Sequence, residues 1–395
     1  MRENRYVKPP GPQIVGGQDI PNYIQTFVQD LEKRGCLRTE WLKQALFKVP
    51  RHLFIDQYYE MRGAKRVIVV DPDHPTDEQL RTIYSDRGLM IREPPNHSAA
   101  SQPSLVLDML EDLEVEPGKK VLELGTGSGW NAGLLAFGLG DDRLVYSMDI
   151  QPDLVEAARI HLRATGFGRV NLRVGDGGYG WPEEAPFDRI IVTVGSPDIP
   201  LPWREQLADG GVLLVPLKTG GIGDPMLRLR KHKGRLEGEF TRRAGFMTLQ
   251  GAFWAGSEDP LEPPWDPLIE KLLSEEPKEV SLSEPMSIHC WFFLHIKGRR
   301  FQALLDYERK LGWHPALFDS ESEAIFVTGP EPLIWVYGDR QAAEQLALGQ
   351  REWIVLGRPK IADYKVELVD PGLIGSEDRW IDKRPYATLK FSLDG

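Results

Sequence analysis

The chain has 395 residues, enough for two domains, or one with large additions, around a sizeable core. Its 59 acidic residues against 48 Lys and Arg give a net charge of −11, and no basic run is present to neutralise phosphates, so nucleic acid is not an expected partner. The two cysteines, Cys36 and Cys290, make neither a disulfide framework nor a zinc site. No stretch is apolar enough for a membrane helix and the N-terminus has no apolar h-region, so a cytoplasmic chain with no membrane partner is expected.

Residues 1 to 20 are polar and rich in proline and glycine, and read as a loose arm. From Ile24 to Val49 the apolar residues Phe27, Leu31, Leu42, Ala45, Leu46 and Val49 fall at helical spacing, and Pro50 ends the pattern. Thr39 makes half a capping box. His52, in Val49-Pro50-Arg51-His52-Leu53-Phe54, reads as a structural histidine beside the helix end. After the stretch Ile83–Leu89 comes a polar loop from Arg92 to Pro103 that includes His97 and Ser98. Long polar loops in compact domains tend to be functional. A helix is expected from Ser104 to Leu113. Ser101 stands just before this Pro-started helix, where its hydroxyl is either an N-cap or a ligand contact.

The stretch Lys119–Trp130 reads KKVLELGTGSGW. The apolar run Val121-Leu122-Glu123-Leu124 stops at Gly125-Thr126-Gly127-Ser128-Gly129, and a helical pattern follows with Leu134, Leu135, Phe137 and Leu139. A buried strand, a glycine turn and a helix start present backbone N–H groups to a ligand. About twenty residues on, a second strand ends in Asp149, followed by Ile150; an acid there can accept both hydroxyls of a ribose. The glycine spacing is G-x-G-x-G, not the G-x-G-x-x-G of dinucleotide enzymes, and Glu123 lies two residues before the first glycine. That carboxylate repels a pyrophosphate. It suits S-adenosylmethionine, which has no phosphate and carries a positive sulfonium and amino group. A third strand ends in Gly175-Asp176-Gly177, where methyltransferases usually place an acid against the adenine amino group. The expected cofactor is S-adenosylmethionine, leaving as S-adenosylhomocysteine.

Strands near 120–124, 144–149, 170–174, 188–194 and 212–217 alternate with helices near 130–139, 152–165 and 201–208. The expected fold is α/β, a Rossmann-like doubly wound sheet of the S-adenosylmethionine-dependent methyltransferase kind. A closing hairpin is expected around 227–230 and 238–240. Beyond Gly256 a proline-punctuated linker leads to strand-like runs at Ile288–Ile296, Ala324–Thr328, Leu333–Tyr337, Tyr364–Val369 and Tyr386–Phe391, with helices near 300–310 and 339–349. This reads as a separate α+β unit with Trp291, Phe292, Phe293, Trp313, Trp335, Trp353 and Trp380 mostly in its core. The chain is thus divided into residues 1–95 (arm, helical segment and start of the substrate loop), 96–255 (methyltransferase core) and 256–395 (C-terminal domain for substrate recognition).

These residues resemble the protein-L-isoaspartate O-methyltransferases. The resemblance runs from Arg34 to Gly251 and includes Val49-Pro50-Arg51-His52-Leu53-Phe54-Ile55-Asp56, Tyr84-Ser85-Asp86, Ser101-Gln102-Pro103-Ser104, the glycine motif, Gly175-Asp176-Gly177 and Ala185-Pro186-Phe187-Asp188. The glycine motif names only a superfamily; Ser-Gln-Pro before it and Ala-Pro-Phe-Asp after it make the match specific. The family's usual Thr-Ile-Ser-Gln-Pro carries Ala99-Ala100 here, and its usual Gly-Gln appears as His97-Ser98. These departures imply a changed substrate beside an intact cofactor site. The long C-terminal region is absent from the ordinary repair enzymes. Together with Ile199-Pro200-Leu201-Pro202-Trp203, it resembles the branch associated with ribosomal peptide biosynthesis. Those enzymes methylate an aspartate of a lasso peptide, lanthipeptide or graspetide, and the ester closes to an aspartimide.

The resemblance implies a cofactor site of Ser101, Gln102, Glu123, Gly125, Thr126, Gly127, Gly129, Asp149, Ile150, Gly175, Asp176 and Gly177. The departures at His97 and Ser98 place those residues on the acceptor loop; Ser101, with the backbone N–H groups of residues 97–102, is expected to orient the carboxylate as the catalytic residue, and Arg92 is a second expected acceptor contact. A free aspartate has a pKa of about 3.9, so the nucleophile is already ionised and no general base is needed. The task is positioning. The expected acceptor is an aspartate of a macrocyclic peptide, acted on by a monomer; repair of isoaspartyl residues is the alternative. Removing residues 257–395 is expected to abolish peptide methylation and leave cofactor binding.

Overall fold

The computed structural model of the chain describes residues 19–60, 66–93, 97–219, 223–253, 264–298, 301–304, 316–329, 332–370 and 380–393. Nearly all of the expected N-terminal arm lies outside the described residues, as do most of the proline-rich linker, Trp313 and most of the helix expected near 300–310. The chain divides into two compact units, one ending at Ile191 and one starting at Val192. No helix among the described residues is long and apolar enough to cross a membrane.

The first unit opens with helices α1 (Ile20–Lys33) and α2 (Glu40–Lys48), which bury Ile24, Phe27, Val28, Leu31, Leu42 and Leu46. Asp19 caps α1 through Asn22 N. Thr39 makes no side-chain cap bond: its hydroxyl and backbone N–H both donate to Glu111, so even the half of the capping box that the sequence supplies is not used. A 3-10 turn at Arg51–Phe54 leads to a hairpin of β1 (Gln57–Glu60) and β2 (Arg66–Val69), then helix α3 (Asp77–Ile83). A second hairpin joins β3 (Leu89–Arg92) to β4 (Ser98–Ala100), so the loop expected to hold the substrate is partly strand, and helix α4 (Pro103–Leu113) follows.

The doubly wound part comes next: β5 (Val121–Leu124), α5 (Trp130–Leu139), β6 (Val145–Asp149), α6 (Pro152–Ala164), β7 (Asn171–Val174) and β8 (Phe187–Val192). Their order is β8-β5-β6-β7, and the β5–β6 and β6–β7 pairs are parallel. All four residues of β5 are buried, as a sheet covered on both faces requires. The carboxyl ends of these parallel strands share one edge, where open α/β sheets hold their ligands.

The second unit contains α7 (Leu201–Gln206), β9 (Leu207–Pro216), β10 (Asp224–His232), β11 (Arg235–Ala244), α8 (Pro267–Ser274), β12 (Lys278–Ser281), α9 (Ile288–Ile296), β13 (Phe301–Ala303), β14 (Ala316–Asp319), β15 (Ala324–Thr328), β16 (Leu333–Tyr337), α10 (Arg340–Val355), β17 (Tyr364–Val369), β18 (Ile381–Lys383) and β19 (Thr388–Leu393). One antiparallel sheet runs β12-β16-β15-β14-β13. Alternate residues of β15 serve its two faces: Ala324 and Phe326 pack towards α9, Ile325 and Val327 towards α8. In the order β18-β19-β17-β11-β10-β9, the last three strands of the chain extend the expected closing hairpin. They therefore join the strands before the linker, rather than a separate C-terminal unit. Such pairings between distant segments leave no local trace in a sequence.

The run Ile288–Ile296, expected as a strand, is the helix α9, capped by Ser287 through Cys290 N. Trp291 faces Phe301 and Phe326, while Phe292 meets Phe240, Tyr364 and Phe391. A helix enclosed on all sides is apolar all round and loses its periodicity, so its sequence cannot be told from that of a buried strand. Of the aromatics expected in the core, Trp291, Phe292, Phe293 and Trp353 are buried, and Trp335 and Trp380 are partly so.

Strand β11 passes so close to β10 that a Cβ on Gly238 would lie 1.8 Å from the Arg228 carbonyl oxygen, near the register shift at Met226/Leu227. Gly238→Ala is expected to cost about 3 kcal/mol, as overpacking against rigid backbone does. Urea unfolding checks this; a loss below about 1 kcal/mol, the size of an ordinary substitution, would show that the strands can part freely.

Candidate functional site

The glycine turn holds Gly125, Gly127 and Gly129 at φ of 105°, 52° and 84°, a region that disfavours side chains. At Gly129 space is also closed, since a Cβ would stand 2.9 Å from that of Ala158 where α5 starts against α6. The turn hangs from the end of β6. Gly125 N and Thr126 N donate to Met148 O at 2.9 and 3.2 Å, and Gly127 N donates to Asp149 Oδ2 at 3.0 Å. Gln151 N donates to Asp149 Oδ1 at 3.1 Å, and Gly175 N to Asp149 O at 2.9 Å. Asp149 thus ties together the ends of β5, β6 and β7. Burial raises its carboxyl above the usual range, and the backbone N–H bonds pull the other way. Each oxygen keeps a further lone pair for a hydroxyl. Ile150 beside it is exposed, and Asp176 Oδ1 accepts Gly178 N at 2.9 Å, shaping the Gly177–Tyr179 turn.

Glu123 is completely buried beneath this turn. Asn131 Nδ2 donates to its Oε1 at 2.6 Å, and a hydroxyl chain joins its Oε2 to Ser147 Oγ at 2.5 Å and on to Thr126 Oγ1 at 2.7 Å. Burial raises its pKa from the usual 4.5 to about 7, against the pull of the Ser147 and Asn131 bonds. Below 4.5 the folded and unfolded chains are both protonated here. Between 4.5 and about 7 the folded chain keeps a proton that the unfolded one has lost, so stability falls as pH rises; above 7 the full penalty remains. Glu123→Gln is expected to raise the stability of the cofactor-free protein by about 3 kcal/mol at pH 8 and to change it little near pH 4.5. Urea unfolding at both pH values checks this, and an equal shift at both would contradict it.

Among the described residues, two buried acceptors of this region, Asn131 Oδ1 and Gln151 Oε1, have no donor. Asn131 Nδ2 holds Glu123 and Gln151 N holds Asp149, so both open acceptors belong to residues of this network. Acceptors of this kind fit a cofactor rich in hydroxyl and amino donors and free of phosphate. The residues present therefore fit S-adenosylmethionine.

Hairpin β3–β4 reaches the same turn: the Ala99 carbonyl oxygen lies 4.0 Å from where a Gly127 Cβ would be. Ser98 is buried, while His97 and Ser101 are half-buried. The expected acceptor contact Arg92 is already engaged. Its Nε donates to Asp153 at 2.8 Å and its Nη2 to Asp56 at 3.5 Å, so it ties the hairpin to the start of α6 instead of offering a free cation. Ser101 is not the helix cap either. The cap position of α4 falls on Gln102, whose side chain makes no cap bond. Asp86 does that work from a distant turn, its Oδ1 accepting Ser104 N at 2.9 Å and its Oδ2 accepting Gln102 Nε2 at 3.0 Å. His52 stands 2.6 Å from Tyr84 Oη, and burial lowers its pKa to about 4, which leaves it neutral and fits its structural reading. Sequence reasoning missed Asp86, Asn131, Ser147 and Gln151. Asp86 lies in the Tyr84-Ser85-Asp86 motif, which gives no sign of its partners, and the contacts of the other three are signalled by neither motif nor spacing.

A family model described as Protein-L-isoaspartate(D-aspartate) O-methyltransferase matches residues 22–252. The protein-L-isoaspartate O-methyltransferase of Thermococcus onnurineus is 40% identical over 207 residues, 52% of this chain and 83% of that protein. That of Pyrococcus horikoshii is 36% identical over 206 residues, 52% of this chain and 82% of that protein. A solved structure described as a protein-L-isoaspartate O-methyltransferase covers 94% of this chain and 99% of its own, with a TM-score of 0.54 and 22% identity. At that identity the likeness is one of fold, and it continues past the end of the family match.

Proposed function

The chain belongs to the protein-L-isoaspartate O-methyltransferase family and is an S-adenosylmethionine-dependent carboxyl O-methyltransferase; from that premise we propose that its acceptor is an isoaspartyl residue in a damaged protein or peptide. The observation that carries this reading is the family match at residues 22–252, which includes the acceptor loop as well as the cofactor turn. When bound, S-adenosylmethionine supplies the electrophilic methyl group. The chain's own part is positioning. The free carboxylate of an isoaspartyl residue, with a pKa of about 3.5, is ionised at neutral pH, so no side chain need take a proton from it. Ser101 and the backbone N–H groups beside it orient that carboxylate. Asp149, Asp176, Asn131 Oδ1 and Gln151 Oε1 hold the hydroxyl and amino groups of the cofactor. Glu123 supports the turn from beneath, and hairpin β3–β4 limits access of water to it. The product is a neutral methyl ester, with a far better leaving group than the carboxylate. The following backbone nitrogen attacks it, methanol leaves and a succinimide forms, which water can open to a normal aspartyl link.

Tailoring of a macrocyclic peptide is the second reading. It rests on Ala99 and Ala100, which form part of β4 beside the glycine turn. The C-terminal extension no longer favours it, because a chain of the same extended fold is described as a protein-L-isoaspartate O-methyltransferase. A cytoplasmic setting suits either acceptor. The deciding experiment offers S-adenosylmethionine with an isoaspartyl peptide, the same peptide with aspartate, and a cyclised aspartyl peptide. Methyl ester on the isoaspartyl peptide alone, followed by succinimide, bears out the repair reading. Ester on the cyclic peptide alone would replace it with tailoring.

A further inference from the structure

We propose that Arg51 is the positioning residue of the acceptor loop, its guanidinium fastening Ser101 to the Ile83–Arg87 turn so that the Ser101 hydroxyl is held towards the acceptor carboxylate. The inference rests on the acceptor reading above and adds a residue to it. Arg51 is 1% exposed. Its Nη1 donates to Ile83 O at 2.6 Å and Ser85 O at 3.2 Å. Its Nη2 donates to Arg87 O and Ser101 O, both at 3.0 Å, with Ala100 O at 3.4 Å. Among the described residues no carboxylate lies within ion-pair distance, and the guanidinium stands 5.5 Å from the ring centre of Trp130, the first residue of α5.

A buried cation without a paired anion is costly, and an apolar side chain would fill the same space at less cost. What an apolar side chain cannot do is offer donors to five carbonyls from two segments, Ile83 to Arg87 and Ala100 to Ser101. A planar fork with fixed donor directions can, and a lysine's single ammonium cannot. The same turn also holds the loop from its other side, since Asp86 accepts Ser104 N and Gln102 Nε2. Ser101 therefore lies between two anchors: its carbonyl is held by Arg51, and residues 102 and 104 by Asp86. Its hydroxyl, relieved of capping duty, is set in direction by backbone fixed on both sides.

The test is Arg51→Lys, which keeps the charge and loses the fork. The expected result is a cooperatively folding protein that binds S-adenosylhomocysteine within about twofold of wild type, with kcat on an isoaspartyl peptide lowered about 100-fold, the loss typical of a reacting group misplaced by an ångström. Unchanged kcat, or cofactor affinity falling in step with kcat, overturns the proposal, because general support of the fold would move both. Should Arg51→Lys not fold, Asp86→Asn probes the opposite anchor. It is expected to lower kcat about tenfold at unchanged cofactor affinity, and unchanged kcat again overturns the clamp. Hydrogen exchange gives a readout that needs no acceptor. In the S-adenosylhomocysteine complex, Arg51→Lys is expected to speed exchange about tenfold at the amides of Ser101, Gln102 and Ser104 while Gly125–Gly129 stay unchanged; uniform change overturns the proposal. If the wild-type protein leaves isoaspartyl peptides untouched, the acceptor reading fails and this exchange pattern still decides the role of Arg51.

Discussion

Asp149→Asn is expected to weaken S-adenosylhomocysteine binding by 100-fold or more, about 3 kcal/mol. In the folded chain both carboxylate oxygens accept backbone N–H groups, Gly127 N on one side and Gln151 N on the other. Asparagine offers one acceptor. Whichever way its amide turns, the NH2 faces one of those N–H groups, donor against donor, and leaves a buried amide unsatisfied at about 1–3 kcal/mol. The acceptor left for ribose hydroxyls is also halved and uncharged, which loses the stronger kind of hydrogen bond. Because Gly127 N is one of the two donors, the glycine turn itself loosens. Calorimetric titration beside a thermal unfolding control checks this. Affinity within about fivefold of wild type in a folded variant, under 1 kcal/mol, would place the ribose elsewhere.

Cutting the chain after Gly256 is expected to yield protein without a cooperative unfolding transition and without turnover. The sequence alone points to a milder outcome, loss of peptide methylation with cofactor binding kept, because residues 256–395 read as a separate domain. The described strands change that expectation. β17 pairs with β11 from Leu236↔Leu368 to Glu239↔Lys365, so the cut leaves β11 as a bare edge. Phe240, 2% exposed, packs at 5.3 Å between ring centres on Phe292 and at 6.2 Å on Phe391, and would lose both partners. Each such aromatic contributes roughly 1.5–3 kcal/mol through burial, and an exposed apolar edge strand is a site for aggregation. Arg384, buried, donates to Pro197 O and to Lys218 O, and Asp198 accepts Tyr386 N at 2.6 Å. The loop just beyond β8 is therefore held by the last residues of the chain. Gel filtration, thermal unfolding and cofactor titration of the truncated chain check this; a folded, active truncation would contradict it.

The cofactor turn was legible because everything that specifies it is local. A four-residue buried strand, three glycines at positive φ and a helix start follow one another directly, and Asp149 follows at the distance that one helix and one strand impose. The alternation of strands and helices gave the doubly wound sheet for the same reason. Ile288–Ile296 was illegible because total burial erases the periodicity that separates a helix from a strand.

By itself the sequence determined the class of fold and the cofactor, through strand, turn and helix patterns that are each local, and the family, through a resemblance carried by several short motifs between Arg34 and Gly251. The tertiary structure alone decided how those parts are held. It joined the last three strands to β11, put Asp86 in place of Ser101 as the cap of α4, engaged Arg92 with Asp153 and Asp56, and surrounded Arg51 with five carbonyls. Each of these is a hydrogen bond or ion pair between segments far apart in the chain, satisfying polar groups that burial has cut off from water. No local pattern announces such a partner, because the need for it arises only when the chain has closed around the group.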